Sequence, residues 1–216
     1  MPPIITIVIA SRNRGKKDEI QELLKDFPVK IKTLDEFGTV PEIEENGNTF
    51  EENAYQKASS IARILGLPAL ADDSGLVVEA LDGRPGVYSA RYAGEEATDR
   101  QRCLKLLGEM EGRDNRCAVF ECVISVAVPS GFALTYKGKC EGLIAQTTSG
   151  SGGFGYDPVF FYPPAGKTFA GMTAEEKNGV SHRGKALRDL CAEFEKVLIW
   201  IRQHMPLPEP GNCRGD

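Results

Sequence analysis

Apolar residues change their spacing along this chain in a way that separates strands from helices. Residues 4–10 form a β-branched run that fits a buried strand. Over residues 16–27, Ile20, Leu23, Leu24 and Phe27 share one face at helical spacing, and residues 29–34 alternate as a second strand. Thr49-Phe50-Glu51-Glu52 then has the form of a capping box, and Phe50, Ala54, Ala58, Ile61, Ala62 and Leu65 make an apolar stripe behind it. Asn53 and Lys57 fall one turn apart on an adjacent face of that helix. Leu67-Pro68-Ala69-Leu70-Ala71 reads as a short buried strand, with Gly75 as its sharp exit. Residues 98–110 open with a second box, Thr98 and Gln101. Over residues 116–128, Ala118, Phe120, Cys122, Ile124, Val126 and Val128 alternate as a long strand. Pro129-Ser130-Gly131 turns the chain, and residues 132–145 return as its hairpin partner. Ser181 caps one last long helix whose buried face is Ala186, Leu187, Leu190, Phe194, Val197, Leu198 and Ile201.

The order β-α-β-α-β, a central antiparallel hairpin and a closing helix predicts an α/β protein. Its sheet is mixed and elongated with flanking helices, in two lobes around a central substrate cleft. A doubly wound parallel sheet does not fit. No repeat and no linker divides residues 1–205, which read as a single domain. Residues 206–216 carry three prolines and two glycines and read as a disordered tail.

Composition narrows the function. Hydrophobic residues make up 41% of the 216, ample for a core, and the net charge of −5 argues against bulk binding to a nucleic-acid polymer or a membrane surface. The apolar N-terminal run is too short to span a membrane and lacks the basic flank of a signal peptide. The six cysteines (Cys103, Cys117, Cys122, Cys140, Cys191, Cys213) contain no CxxC pair, and the imidazoles are His182 and His204 alone. A reduced cytoplasmic chain without a zinc site is the expectation.

Four polar segments could carry chemistry. Ser11-Arg12-Asn13-Arg14-Gly15-Lys16 lies between a strand and a helix, where backbone N–H groups, a hydroxyl, an amide and a lysine suit an anion. It lacks Walker A spacing. Ala71-Asp72-Asp73-Ser74-Gly75-Leu76 puts two carboxylates at the end of an apolar run. Neighbours in a strand point to opposite faces, so the two aspartates do different work unless the chain bends there. Such a carboxylate can hold Mg²⁺ against a nucleotide, and one from Glu42, Glu44 or Glu45 could reach the same ion. In Gly150-Ser151-Gly152-Gly153-Phe154-Gly155-Tyr156-Asp157-Pro158 the glycines allow close backbone approach, and Phe154 suits stacking on a flat base. His182 and Arg183 follow the Ser181 cap, where the helix dipole disfavours positive charge, so a polar ligand is the better explanation for them.

Together these segments resemble the inosine triphosphate pyrophosphatase family, the XTP/dITP diphosphatases, over residues 4 to about 203. The resemblance rests on Ser11 to Lys16, Glu44-Glu45-Asn46-Gly47-Asn48-Thr49-Phe50-Glu51-Glu52-Asn53-Ala54, the Asp72-Asp73-Ser74 run, Pro85-Gly86-Val87-Tyr88-Ser89-Ala90-Arg91-Tyr92, Gly153 to Pro158, and Ser181-His182-Arg183-Gly184. It implies a Mg²⁺-dependent cytoplasmic homodimer that cleaves ITP, dITP and XTP to monophosphate and pyrophosphate, cleansing the nucleotide pool. By position, Ser11, Arg12, Asn13, Arg14, Gly15 and Lys16 would hold the phosphates, and Glu44 and Asp73 would hold the metal. Asp73 would also be the general base. Ser74 would touch the substrate, and Phe154, Gly155, Tyr156 and Asp157 would line base and sugar. Lys177, His182 and Arg183 would read the base. The family usually has Thr-Gly-Asn where this chain has Ser11-Arg12-Asn13, so the hydroxyl is kept and a flexible glycine is not. The Maf-like nucleotide pyrophosphatases, a non-catalytic nucleotide sensor and a kinase are the rival readings. The kinase lacks its signature.

Overall fold

The computed structural model describes residues 4–205, without the side chains of Arg14 and Leu23. The expected disordered tail at 206–216 therefore lies outside the described residues, and so does Cys213. One seven-stranded mixed sheet runs in the order β2-β1-β3-β4-β5-β6-β7. β1 (Ile5–Ile9) lies parallel to β2 (Val29–Thr33) and to β3 (Ala69–Val78), because α1 (Arg14–Leu24) and α2 (Phe50–Leu65) carry the chain back between them. β4 (Cys117–Ala127) and β5 (Ala133–Ile144) form the long antiparallel hairpin, and β4 pairs with β3 along its whole length. β6 (Phe160–Tyr162) and β7 (Lys167–Thr168) finish the far edge.

Alternation along the strands sets the layers. Ile7 and Ile9 join Leu70, Ile124 and Val126 on the face covered by α1, α5 (His182–Ala192) and α6 (Phe194–His204). Val8 and Ala10 join Ala69 and Ala71 on the opposite face, under Ala58, Ile61 and Ala62 of α2. A separate cluster at the other end of the hairpin gathers Leu76, Leu106, Phe120, Phe160 and Phe169 with α3 (Asp99–Glu109). Each fully buried Leu, Ile or Phe contributes about 1.5–3 kcal/mol. The expected mixed sheet with its lobes sharing strands is the fold found.

Several local expectations differ. β3 does not stop before Gly75 but runs on to Val78, because β4 pairs with every residue of it. Gly75 is needed for packing instead: a Cβ there would lie 2.5 Å from Gly86 O and from Ser89 Oγ. The capping box at Thr49 is half built. Thr49 Oγ1 accepts from Glu52 N at 3.1 Å, but Glu52 Oε2 accepts from Asn48 N at 2.7 Å instead of closing the box. The box at Thr98 and Gln101 is complete. The single long closing helix is two, α5 and α6, because Glu193 leaves helical geometry at φ −112° and ψ 8°. The stripe from Ala186 to Ile201 stays buried across that break. Lys177 lies on a short helix, α4 (Ala174–Val180), that the apolar pattern does not mark.

Candidate active site

A cavity of about 340 Å³ lies against the middle of β3, between the loop that joins β1 to α1, the loop 154–157 and the start of α5. Ser11, Arg12, Asn13, Lys16, Asp73, Ser74, Phe154, Gly155, Tyr156, Asp157, Lys177, His182 and Arg183 all line it, so one space collects most of the residues expected to act together. The side chain of Arg14 lies outside the described residues.

The loop between β1 and α1 is pre-folded by its own side chains. Asn13 caps α1, its Oδ1 accepting from Lys16 N at 3.1 Å, and Ser11 Oγ accepts from Asn13 N at 3.2 Å. Arg12 keeps an ordinary negative φ, since Asp82 is the one non-glycine with positive φ among the described residues. The missing glycine therefore costs the loop nothing, and Arg12 Nη2 donates to Val40 O at 2.9 Å across the rim.

The two aspartates of β3 do point apart. Asp73 turns toward α2, where Lys57 Nζ donates to its Oδ1 at 3.1 Å and Asn53 Nδ2 to its Oδ2 at 3.2 Å. Asn53 Oδ1 accepts from Gly47 N at 2.8 Å, tying the acidic loop to the same carboxylate. Burial pushes the Asp73 carboxyl above its ordinary value, and the opposing pull of Lys57 and Lys16 only partly offsets it. Asp72 turns toward α1 and α5 instead. Burial would raise it too, but Lys16, Arg183 and Lys57 outweigh that and hold it well below the usual carboxylate range.

Arg183 opens α5 and is 2% exposed, yet its charge is fully answered. Its Nε and Nη2 donate to Asp72 Oδ2 at 3.2 and 3.1 Å, its Nη2 also to Ser74 Oγ at 2.9 Å, and its Nη1 to Glu19 Oε2 at 2.6 Å. Lys177 Nζ lies 2.6 Å from Asp157 Oδ2, which also accepts from Phe154 N at 2.8 Å. These two cations, which the resemblance assigns to reading the base, are both paired with carboxylates, and Asp72 and Glu19 relieve the dipole conflict at Arg183. His182 is different. Burial, then the nearby Arg183 and Lys177, hold it neutral, its ring stacks on Phe120 with centroids 4.6 Å apart, and its Nδ1 is buried without a partner. Phe154 sits between, with Lys177 Nζ 4.5 Å and Arg183 Cζ 5.5 Å from its ring centroid.

Glu44 was expected as the second metal carboxylate, but it is exposed and does not line the cavity. Glu42 and its neighbour Glu45 do, and Glu45 Oε1 lies 3.2 Å from Lys57 Nζ. Among the described residues there is no ready cluster of three metal-ligating side chains. The donor set nevertheless fits Mg²⁺, since Asp73 and Glu45 bring hard oxygens to one shared cation, the Lys57 ammonium. Mg²⁺ commonly takes one or two carboxylates, with waters and substrate phosphates as its other ligands.

Sequence reasoning placed Asn53 and Lys57 on the right face of α2 but gave them no role. It passed over Glu19, one turn beyond Lys16, and Asp99. The Asp99 carboxylate accepts from Gly155 N at 2.7 Å and pairs with Arg102. No local pattern marks either residue. In the segment from Pro85 to Tyr92, Tyr88 is 55% exposed under Arg91, whereas Tyr92 is used inside the chain, donating to Glu109 at 2.6 Å.

The Ham1 family model matches residues 7–193. The chain is 54% identical over 204 residues to a dITP/XTP pyrophosphatase of Desulfotalea psychrophila, covering 94% of this chain and 92% of the relative. It is 57% identical over 195 residues to one of Syntrophobacter fumaroxidans, covering 90% and 84%. Among solved structures, a HAM1 protein from Coxiella burnetii superposes with a TM-score of 0.84 at 46% identity, over 89% of this chain and all (100%) of that one.

Proposed function

The chain belongs to the Ham1 family, and from that premise we propose that it hydrolyses non-standard purine nucleoside triphosphates (ITP, dITP and XTP) to monophosphate and pyrophosphate. The supporting observation is one cavity that joins an anion loop, a buried carboxylate with a raised proton affinity, and an aromatic wall beside a neutral imidazole. In this reading Ser11, Asn13 and Lys16 take the phosphates and Phe154 stacks on the base. Asp73 accepts the proton of a water directed at the α-phosphorus, with Lys57 and Asn53 fixing its two oxygens. Asp73 and Glu45 would hold Mg²⁺, which when bound supplies charge neutralisation to the phosphates. Lys16 and Lys57 spread positive charge along the same stretch.

Base choice falls to His182. Inosine and xanthine carry an oxygen at C6, which can accept from a ring N–H, whereas adenine carries an NH₂ that cannot. A buried donor left unpaired costs about 1–3 kcal/mol, so this contact is worth roughly 10- to 100-fold between ITP and ATP. Lys177 and Arg183, held by Asp157, Asp72 and Glu19, shape the wall around that contact. The chain acts as a cytoplasmic homodimer in this reading, cleansing the nucleotide pool.

The deciding measurement is the product released from ITP with Mg²⁺. Pyrophosphate with a clear preference over ATP supports the reading. Orthophosphate, or binding without release as in a sensor, rejects it.

A further inference from the structure

Asp72 takes part in no step of the proposed reaction, yet it is 2% exposed and carries four donors on a single oxygen. Oδ2 lies 3.0 Å from Lys16 Nζ, 3.1 Å from Arg183 Nη2, 3.2 Å from Arg183 Nε and 3.2 Å from Ser74 Oγ. Oδ1 is buried with no partner at all. A carboxylate kept for architecture alone would spend both oxygens, because a buried unpaired one is costly. The geometry instead gathers two cations onto one atom.

Those cations come from two different elements and, in the proposed reading, from the two sides of the nucleotide. Lys16 stands behind Ser11 and Asn13 in the first turn of α1, on the phosphate side. Arg183 stands in the first turn of α5, next to His182 and over the Phe154 ring, on the base side. Each competes with the other for Oδ2.

We propose that Asp72 is a positioning residue that couples the two sides, making discrimination between bases depend on a bound polyphosphate. This rests on the nucleotide reading above. A polyphosphate that draws the Lys16 ammonium away leaves the Asp72 charge to Arg183. The guanidinium is then held harder in place, and the wall formed by Phe154 and His182 is fixed with it. Glu19 cannot make this link alone: it also engages Arg183 and Lys177, but it has no contact with Lys16 among those the structure shows. The coupling is reciprocal, so a base that fits the wall tightens the phosphates by the same factor.

The test uses the full chain as wild type, Lys16→Met, Asp72→Asn and the double variant. For each, kcat/KM for ITP and ATP and the dissociation constants of their α,β-methylene analogues and of inosine and adenosine are measured. The expected result is that the wild type prefers the inosine base about fivefold or more strongly in the triphosphate analogues than in the nucleosides, whereas Lys16→Met, which leaves Asp72 to Arg183 at all times, shows the same preference in both. Asp72→Asn shows the weaker preference in both, and the double variant matches Asp72→Asn. If Lys16→Met keeps the wild-type difference between triphosphate analogues and nucleosides, the coupling is overturned. Multiplying losses in the double variant, or equal wild-type constants for the two analogues, overturn it as well. Should Asp72→Asn fail to fold, Lys16→Met alone decides. A wild type that binds the analogues unequally but releases no pyrophosphate refutes the reaction while leaving the coupling testable by the analogue constants.

Discussion

Asp73 holds a charge where burial disfavours one, and that conflict has a measurable consequence. Its folded-state proton affinity is raised, so its contribution to stability is greatest at low pH and is lost as pH rises through the raised value. At neutral pH the ionised carboxylate is therefore a cost to the fold that function accounts for. Asp73→Asn removes the charge without changing the shape. Turnover should fall on the order of 10²- to 10⁴-fold, the usual span for a general base, while the melting temperature at pH 7.5 rises. A variant that turns over near the wild-type rate would remove Asp73 from the mechanism. His182 runs the other way in both charge and sign of slope. Its folded pKa lies well below 6.5, so the unfolded chain binds the extra proton and stability drops as pH falls below about 6.5. His182→Phe keeps the stack on Phe120 and should flatten the dependence of melting temperature on pH between 7 and 5.5, and an unchanged slope would mean that another group sets it.

At the scale of elements, the site is a set of close approaches between backbones. α5 crosses β5 so near that a Cβ on Gly138 would lie 2.1 Å from His182 O and 2.7 Å from Ala186 N. Gly138→Ala should push the start of α5 off the sheet, costing about 1–3 kcal/mol in denaturant unfolding. It should also raise KM for ITP, since His182 and Arg183 move with that helix. A variant with wild-type stability and KM would show that α5 has room to spare. The loop 153–157 is fixed from several sides, with Phe154 N on Asp157, Gly155 N on Asp99 and Tyr156 Oη donating to Ser89 O at 2.9 Å. Its aromatic ring can therefore be removed without losing the loop. Phe154→Ala should raise KM for ITP, XTP and ATP alike, by about 10- to 100-fold for one lost stack. A loss confined to one base would mean that Phe154 selects bases and does not simply hold them.

At the scale of the molecule, the 3₁₀ turn Gly86–Arg91 packs its inner side on β3 and presents Tyr88 outward beneath Arg91. Exposed tyrosine and arginine side by side are frequent at interface centres. Light scattering at micromolar concentration should give twice the chain mass, and Tyr88→Ala with Arg91→Glu should lower it toward one. A wild type of single-chain mass rejects the assembly. No helix among the described residues is long and apolar enough to cross a membrane, and Cys103, Cys117, Cys122, Cys140 and Cys191 form no disulfide among the described residues.

What the sequence determined by itself is local. Periods of two and 3.6 residues located β1, β2, α2, α3 and the β4–β5 hairpin, because burial of one face needs no knowledge of what covers it. The same rule put Asp72 and Asp73 on opposite faces, and their neighbours in space prove different. Glycine density around Phe154 marked a loop built for close contact. Tertiary structure decided the rest. That Lys57 and Asn53 meet Asp73 depends on how α2 lies over β3, which no spacing within α2 records. That Glu45 and not Glu44 faces the cavity depends on the tie from Gly47 to Asn53. Neither the break at Glu193 nor the carboxylates that hold Lys177 and Arg183 could be read locally, since Glu19, Asp72 and Asp157 come from distant segments. Charge pairing is set by distances across the fold, and those follow from strand order and register, which join parts of the chain that the sequence keeps far apart.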